Sequence, residues 1–138
     1  SMTWARETGR TGEDRTMIKL IVAIYRKPGM TLEAFNDRWL NVHGPLVKKH
    51  AQTLRVKRYV QSHYVSVPEI EAQLAERGWG KRPDAVTEVW WDSLDDYYAA
   101  LATPEGIAAN LELEADEKQF CDMHRMEAFI SEEKVIFG

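Results

Sequence analysis

Of the four histidines in this chain, His43 is the one best placed for acid–base chemistry. It follows Phe35 and Trp39 at four-residue intervals, so the three share a helical stripe that points inward and not into bulk water. A helix C-terminus at Gly44-Pro45 would favour the imidazolium, and partial burial would oppose it. An imidazole balanced between those influences can give or take a proton near neutral pH. The competing reading is structural: a histidine bonded to a carbonyl, fixing the Gly-Pro kink.

A second group sits on one side of a strand. Tyr59, Gln61 and His63 alternate with Val60 and Ser62, which would place a hydroxyl, an amide and an imidazole in one cavity if that side faces inward. The competing reading is a solvated face that begins with Arg55 and Lys57. Glu88, inside an otherwise apolar strand, is a candidate partner for His43 or His63, or a general base; otherwise it pairs with a cross-strand Arg or Lys. Tyr25, Trp39 and Trp90 are candidate walls for a planar ligand, and equally candidate core. The catalytic candidates are therefore His43, His63, Tyr59 and Glu88, with Tyr25, Trp39, Gln61 and Trp90 as substrate contacts. Metal binding is not expected, because His43 and His50 stand two helical turns apart and no H-x-x-x-H, C-x-x-C or H-E-x-x-H occurs. No G-x-G-x-x-G or P-loop occurs either, so no cofactor is expected.

The elements that must position these groups can be read from pattern. Met17 to Lys27 predicts a strand closed by Pro28-Gly29, and Thr31 caps a helix that Gly44-Pro45 interrupts. Leu54 to Val65 predicts a second strand, with Leu54, Val56 and Val60 on the side opposite Tyr59. Pro68 to Arg77 predicts a short helix, Ala85 to Asp92 a third strand, and Ser93 with Asp96 a capping box for Leu94 to Ala102. Thr103-Pro104 restarts helix to about Lys118, and His124 to Glu132 predicts the fourth strand, followed by an apolar tail at Val135, Ile136 and Phe137. The order βαββαβ is that of an α+β ferredoxin-like fold, a four-stranded antiparallel sheet with its helices on one face. Tyr25, Tyr59, His63, Trp90 and Phe129 are expected on the other face, a patch too large for a monomer to leave in water. A second copy packed sheet to sheet would cover it, so a homodimer is expected, with the chamber between the subunits as the ligand site.

Composition limits the partners. The 138 residues suffice for one domain, and a net charge of −4 gives no electrostatic reason for nucleic acid or an anionic membrane. Residues 1–16 are expected to be a polar arm, with Ser1-Met2 read as a tag scar, ahead of a domain expected over 17–138. One cysteine, Cys121, excludes an internal disulfide and fits a reducing compartment, so a cytoplasmic location is expected.

The segment Phe35-Asn36-Asp37-Arg38-Trp39-Leu40-Asn41-Val42-His43-Gly44-Pro45-Leu46 resembles the F-x-x-x-W-x-x-x-H-x-P-L signature of the EthD family. The strand Ile18 to Tyr25 with its turn, Glu88 to Leu94, and Asp116-Glu117 with Phe120-Cys121-Asp122 are similar to further stretches of that family. The resemblance implies a dimeric ferredoxin-like α/β barrel associated with ether degradation and polyketide pathways, where some members are dehydratases or decarboxylases. It also implies that the connection from Pro68 to Arg82 is longer than usual.

The function expected is a cofactor-free enzyme, a lyase or isomerase, moving protons on a small hydrophobic, aromatic or polyketide-like metabolite. An oxygen-using monooxygenase or haem-binding enzyme of the wider superfamily is one alternative; a non-catalytic small-molecule binding protein is another.

Overall fold

The computed structural model describes residues 16–138; apart from Thr16, the expected polar arm lies outside the described residues. β1 (Ile18–Ile24), rich in β-branched and aliphatic residues, pairs antiparallel with β3 (Ala85–Trp91) on one side and β4 (Glu127–Ser131) on the other. β2 (Arg58–His63) flanks β3, giving the order β2-β3-β1-β4. The fold is α+β and ferredoxin-like, as expected.

Register decides which side chains share a face. Leu20 pairs with Val89, and Val89 with Tyr59; Val22 pairs with Thr87, and Thr87 with Gln61. These residues lie beneath the helices. One residue along, Lys19 pairs with Trp90 and Trp90 with Arg58, while Ile21 opposes Glu88 and Phe129. That set forms the face without helices.

Tyr59 and His63, expected on the uncovered face, belong to the covered one, while Trp90 and Phe129 are on the uncovered face. The reason is local. β2 begins only at Arg58, and Arg55 ahead of it takes a left-handed φ of 58°, which breaks the alternation. Leu54 and Val56 therefore pack in one cluster with Tyr59, although simple alternation sets them apart.

α1 (Leu32–Arg38) starts at Thr31, whose hydroxyl accepts from the Ala34 N–H at 3.1 Å. Gly44-Pro45 does not end the helical run. A π-helical turn, Trp39–His43, leads straight into α2 (Gly44–His50), and the Gly44 N–H donates to the Trp39 carbonyl five residues back. Pro45, which has no N–H to satisfy, enters at the first turn of α2.

α3 (Pro68–Glu76) buries none of its residues, so this insertion extends the surface. α4 (Leu94–Leu101) is capped by Ser93, which accepts from the Asp96 N–H. α5 (Pro104–Glu117) is capped by Thr103, which accepts from the Gly106 N–H. Phe35, Trp39 and Phe120 are fully buried, with ring centroids 5.7 and 5.6 Å apart, and anchor the first helical run to the end of α5.

Candidate functional site

The covered face of the sheet and the helices line a partly open cavity of about 390 Å³ within a single chain. Its wall is mainly aliphatic, with Leu20, Val22, Val47, Leu54 and Val56 among its residues, while His43, Tyr59, Thr87 and Glu117 bring polar groups to it. This cavity lies between the sheet and its own helices, whereas the expected chamber lies between two subunits. That follows from register, because the register that carries Tyr59 under the helices brings the polar candidates with it.

His43 lies in the π-helical turn and is 5% exposed. Its Nδ1 is 2.9 Å from Asp116 Oδ2, and Asp116 Oδ1 accepts from Arg38. A carboxylate held by a guanidinium can only accept, so Nδ1 carries the hydrogen and Nε2 keeps its lone pair. Burial pushes the imidazole below the usual 6.5; the bond and charge of Asp116 pull it back, and Arg38 adds to the downward push. The helix C-terminus expected to favour the imidazolium is absent, because the helical run continues through α2. Burial also pushes Asp116 up, but the bonds and charges of Arg38 and His43 outweigh it and hold the carboxyl below 3.8.

Glu117 follows Asp116 at the end of α5, and its Oε2 stands 3.9 Å from His43 Nε2. Burial, reinforced by the charges of Glu114 and Asp116, raises this carboxyl from 4.5 to about 7.

A second network runs along β2. The Gln61 Nε2 donates to the Trp39 carbonyl at 2.8 Å and to the Tyr59 hydroxyl at 2.9 Å, and its Oε1 accepts from His63 Nε2 at 2.8 Å. The π-helical turn has a direct consequence here, since the carbonyl it displaces is the one that anchors Gln61. Burial raises the Tyr59 phenol above 10, against the opposing bonds of Gln61, Thr87 and Trp39, so it is neutral at physiological pH. His63 stacks on Trp39 at 4.5 Å between centroids, and burial lowers its pKa.

The structure therefore brings together His43, Tyr59 and Trp39 on the cavity wall, with Gln61 and His63 braced behind them. It separates the other candidates. Glu88 is on the opposite face, bound to Lys19 at 2.6 Å, and so cannot partner His43 or His63. Trp90 is on that face too, beneath Lys19 and Arg58 and donating to Glu133. Tyr25 lies in an open surface cleft, donating to Glu127 beneath the Arg125 guanidinium. Arg38, Asp116 and Glu117 were not expected. Asp116 interrupts the apolar stripe Ala109, Leu113, Phe120, and a carboxylate at such a position needs a buried partner. Among the described residues no cluster of three or more His, Cys, Asp or Glu could hold a metal ion, and no helix is long and apolar enough to cross a membrane.

This is a ferredoxin-like domain with an apolar cavity under its helices and a histidine–carboxylate pair in the cavity wall. The EthD domain model matches residues 27–124, and the chain belongs to the EthD family. An EthD family protein from Bacillus halodurans is 23% identical with a TM-score of 0.57, over 86% of this chain and 99% of that one. A dimeric protein of unknown function and ferredoxin-like fold from Bacteroides fragilis is 14% identical, with a TM-score of 0.54 over 86% of this chain and 97% of its own. A hydroxynitrile lyase from Passiflora edulis is 13% identical, with a TM-score of 0.60 over 91% of this chain and all of its own. No curated protein matches the chain.

Proposed function

We propose that this protein is a small-molecule enzyme that moves protons on an uncharged, largely apolar substrate held in the cavity between sheet and helices. The observation that carries this reading is the 2.9 Å contact between His43 Nδ1 and Asp116, which leaves the Nε2 lone pair as a base. The largely aliphatic wall surrounds that buried base, and the neutral Tyr59 phenol supplies a polar group for a substrate oxygen. Lyase or isomerase chemistry is the reading that this arrangement supports.

The test is solvent hydrogen exchange. A panel of uncharged ketones and hydroxylated aromatics is incubated with the protein in deuterium oxide and followed by proton NMR. Deuterium incorporation or turnover is expected, falling about 100-fold or more in a folded His43→Ala variant. Tight binding of panel members without exchange or turnover by the wild type would make the protein a carrier and end the enzymatic reading.

The uncovered face supports a second element, a homodimer. It presents Ile21, Val60 and Phe129 around the Lys19–Glu88 pair, with Phe129 61% exposed. The Bacteroides fragilis relative is described as dimeric. Light scattering is expected to report two subunits.

A further inference from the structure

The mechanism above uses one proton carrier, yet a second ionisable group lines the same cavity with no protein donor to either of its oxygens among the described residues. The Glu117 side chain is 31% exposed and belongs to the cavity wall. Its Oε2 is 3.9 Å from His43 Nε2, too far for a direct hydrogen bond and close enough for both atoms to reach one small molecule.

We propose that Glu117 is the acid that works opposite His43, and that the substrate is an uncharged carbonyl compound with a hydrogen on the neighbouring carbon. The inference rests on the proton-transfer reading of the same cavity. His43 Nε2 takes the hydrogen of that carbon as its C–H bond breaks. The electron pair forms a carbon–carbon double bond, the carbonyl π pair moves to oxygen, and the Glu117 hydroxyl delivers its proton there. The products are an enol, a protonated His43 and an ionised Glu117, with no net change in charge or oxidation state. Where a second double bond is conjugated with that enol, protonated His43 returns the proton to its far carbon while the enol hydroxyl gives its proton back to Glu117, which re-forms the carbonyl and completes an isomerisation.

The surrounding groups support that distribution of protons. Asp116 and Glu114, on the same helix, oppose ionisation of Glu117, and burial opposes it most. Arg38 spends its charge on Asp116. The Cys121 thiol, pushed up to about 12, and the Tyr59 phenol stay neutral across the working range. Among the described residues His43 is the base facing Glu117 across the gap, and its hydrogen is committed to Asp116. A carboxylic acid kept neutral in an apolar site can donate to an oxygen on which charge develops.

Acetophenone is a suitable probe, since its carbonyl does not titrate and its methyl hydrogens report enolisation. Its affinity for the wild type, read by tryptophan fluorescence, is expected to fall tenfold per pH unit above about 7, where Glu117 loses its proton. In Glu117→Gln that fall disappears, and methyl deuteration drops about 100-fold or more, while Glu117→Asp recovers part of both. Equal deuteration rates in Glu117→Gln and the wild type would overturn the proposal and leave the role of His43 intact. Loss of affinity above pH 7 in the wild type and not in Glu117→Gln, with no deuteration by the wild type or either variant, would uphold the proton on Glu117 but overturn the proton-transfer reading and with it the role of Glu117 as an acid. A Glu117 carboxyl carbon that titrates near 4.5 by NMR would overturn the proposal whether or not the probe binds.

Discussion

Gln61 Nε2 lies 2.8 Å from the Trp39 carbonyl oxygen, and this bond ties the second strand to the π-helical turn that carries His43. The same carbonyl accepts the Gly44 N–H, so the turn holds its shape by sharing one acceptor between the backbone and a strand side chain. Gln61→Leu removes the strand's half of that arrangement. A loss of about 1 kcal/mol in thermal or denaturant unfolding is expected, together with a changed His43 ring resonance. Unaltered stability and an unaltered resonance would show that the turn stands without Gln61.

The pair formed by His43 and Asp116 predicts a direction of titration. In the wild type His43 titrates below 6.5, because burial outweighs the carboxylate beside it. Asp116→Asn removes the influence that opposes burial, so the histidine is expected to titrate lower still, as read by nitrogen NMR of the imidazole. A rise in that value would contradict the assignment of Asp116 as the proton acceptor at Nδ1.

Glu117 makes stability depend on pH in a defined window. Its folded value of about 7 exceeds the ordinary 4.5, so the folded state binds the proton more tightly. The contribution is fully present below 4.5 and is lost as pH rises through about 7. His43 has the opposite shift and costs stability as pH falls below 6.5, in wild type and Glu117→Gln alike. The difference between those two proteins in chemical denaturation should therefore change by roughly 1–2 kcal/mol between pH 4.5 and 7 and stay level above, with Glu117→Gln favoured at high pH. A flat difference across that window would place Glu117 in an ordinary carboxylate environment.

Gly106 sits in the first turn of α5, where a Cβ would come 1.7 Å from the Ala100 carbonyl oxygen and 2.8 Å from its carbon. Helix propensity favours alanine over glycine by about 1 kcal/mol, but backbone atoms cannot yield as a flexible side chain can. Gly106→Ala is expected to destabilise the domain by about 3 kcal/mol or more in denaturant titration, by forcing α4 and α5 apart. A neutral or stabilising result would mean that the two helices separate freely at that join.

The proposed dimer can be tested at its apolar centre. Phe129→Asp places a charge on the uncovered face, on the side of the sheet opposite the cavity, and should shift the light-scattering mass from two subunits to one. If the dimer survives unchanged, it forms through another surface.

The strand and helix order was legible because it rests on local physics. β-branched runs, the caps at Thr31, Ser93 and Thr103, and the turn at Pro28-Gly29 act within a few residues of themselves. His43 was legible for the same reason, since the stripe from Phe35 through Trp39 depends on spacing alone. Tyr59, Gln61 and His63 were recognised as sharing a side, but which side faced the helices turned on the left-handed Arg55 and the register against Val89, Thr87 and Ala85. Glu88 shows the same limit, because its neighbours in sequence do not reveal Lys19, 69 residues away, as its partner.

Short-range chemistry was therefore enough to name the fold and to place His43 in a buried stripe. Position along the chain could not indicate that Asp116 meets His43 across 73 residues, or that Glu117 looks at the imidazole's other nitrogen. Those contacts exist because α5 packs against α2 and the π-helical turn, at a depth and rotation that set Asp116 and Glu117 beside His43. Depth and rotation are set by how whole elements close around a shared core, and that closure also raises the carboxyl of Glu117 by burying it.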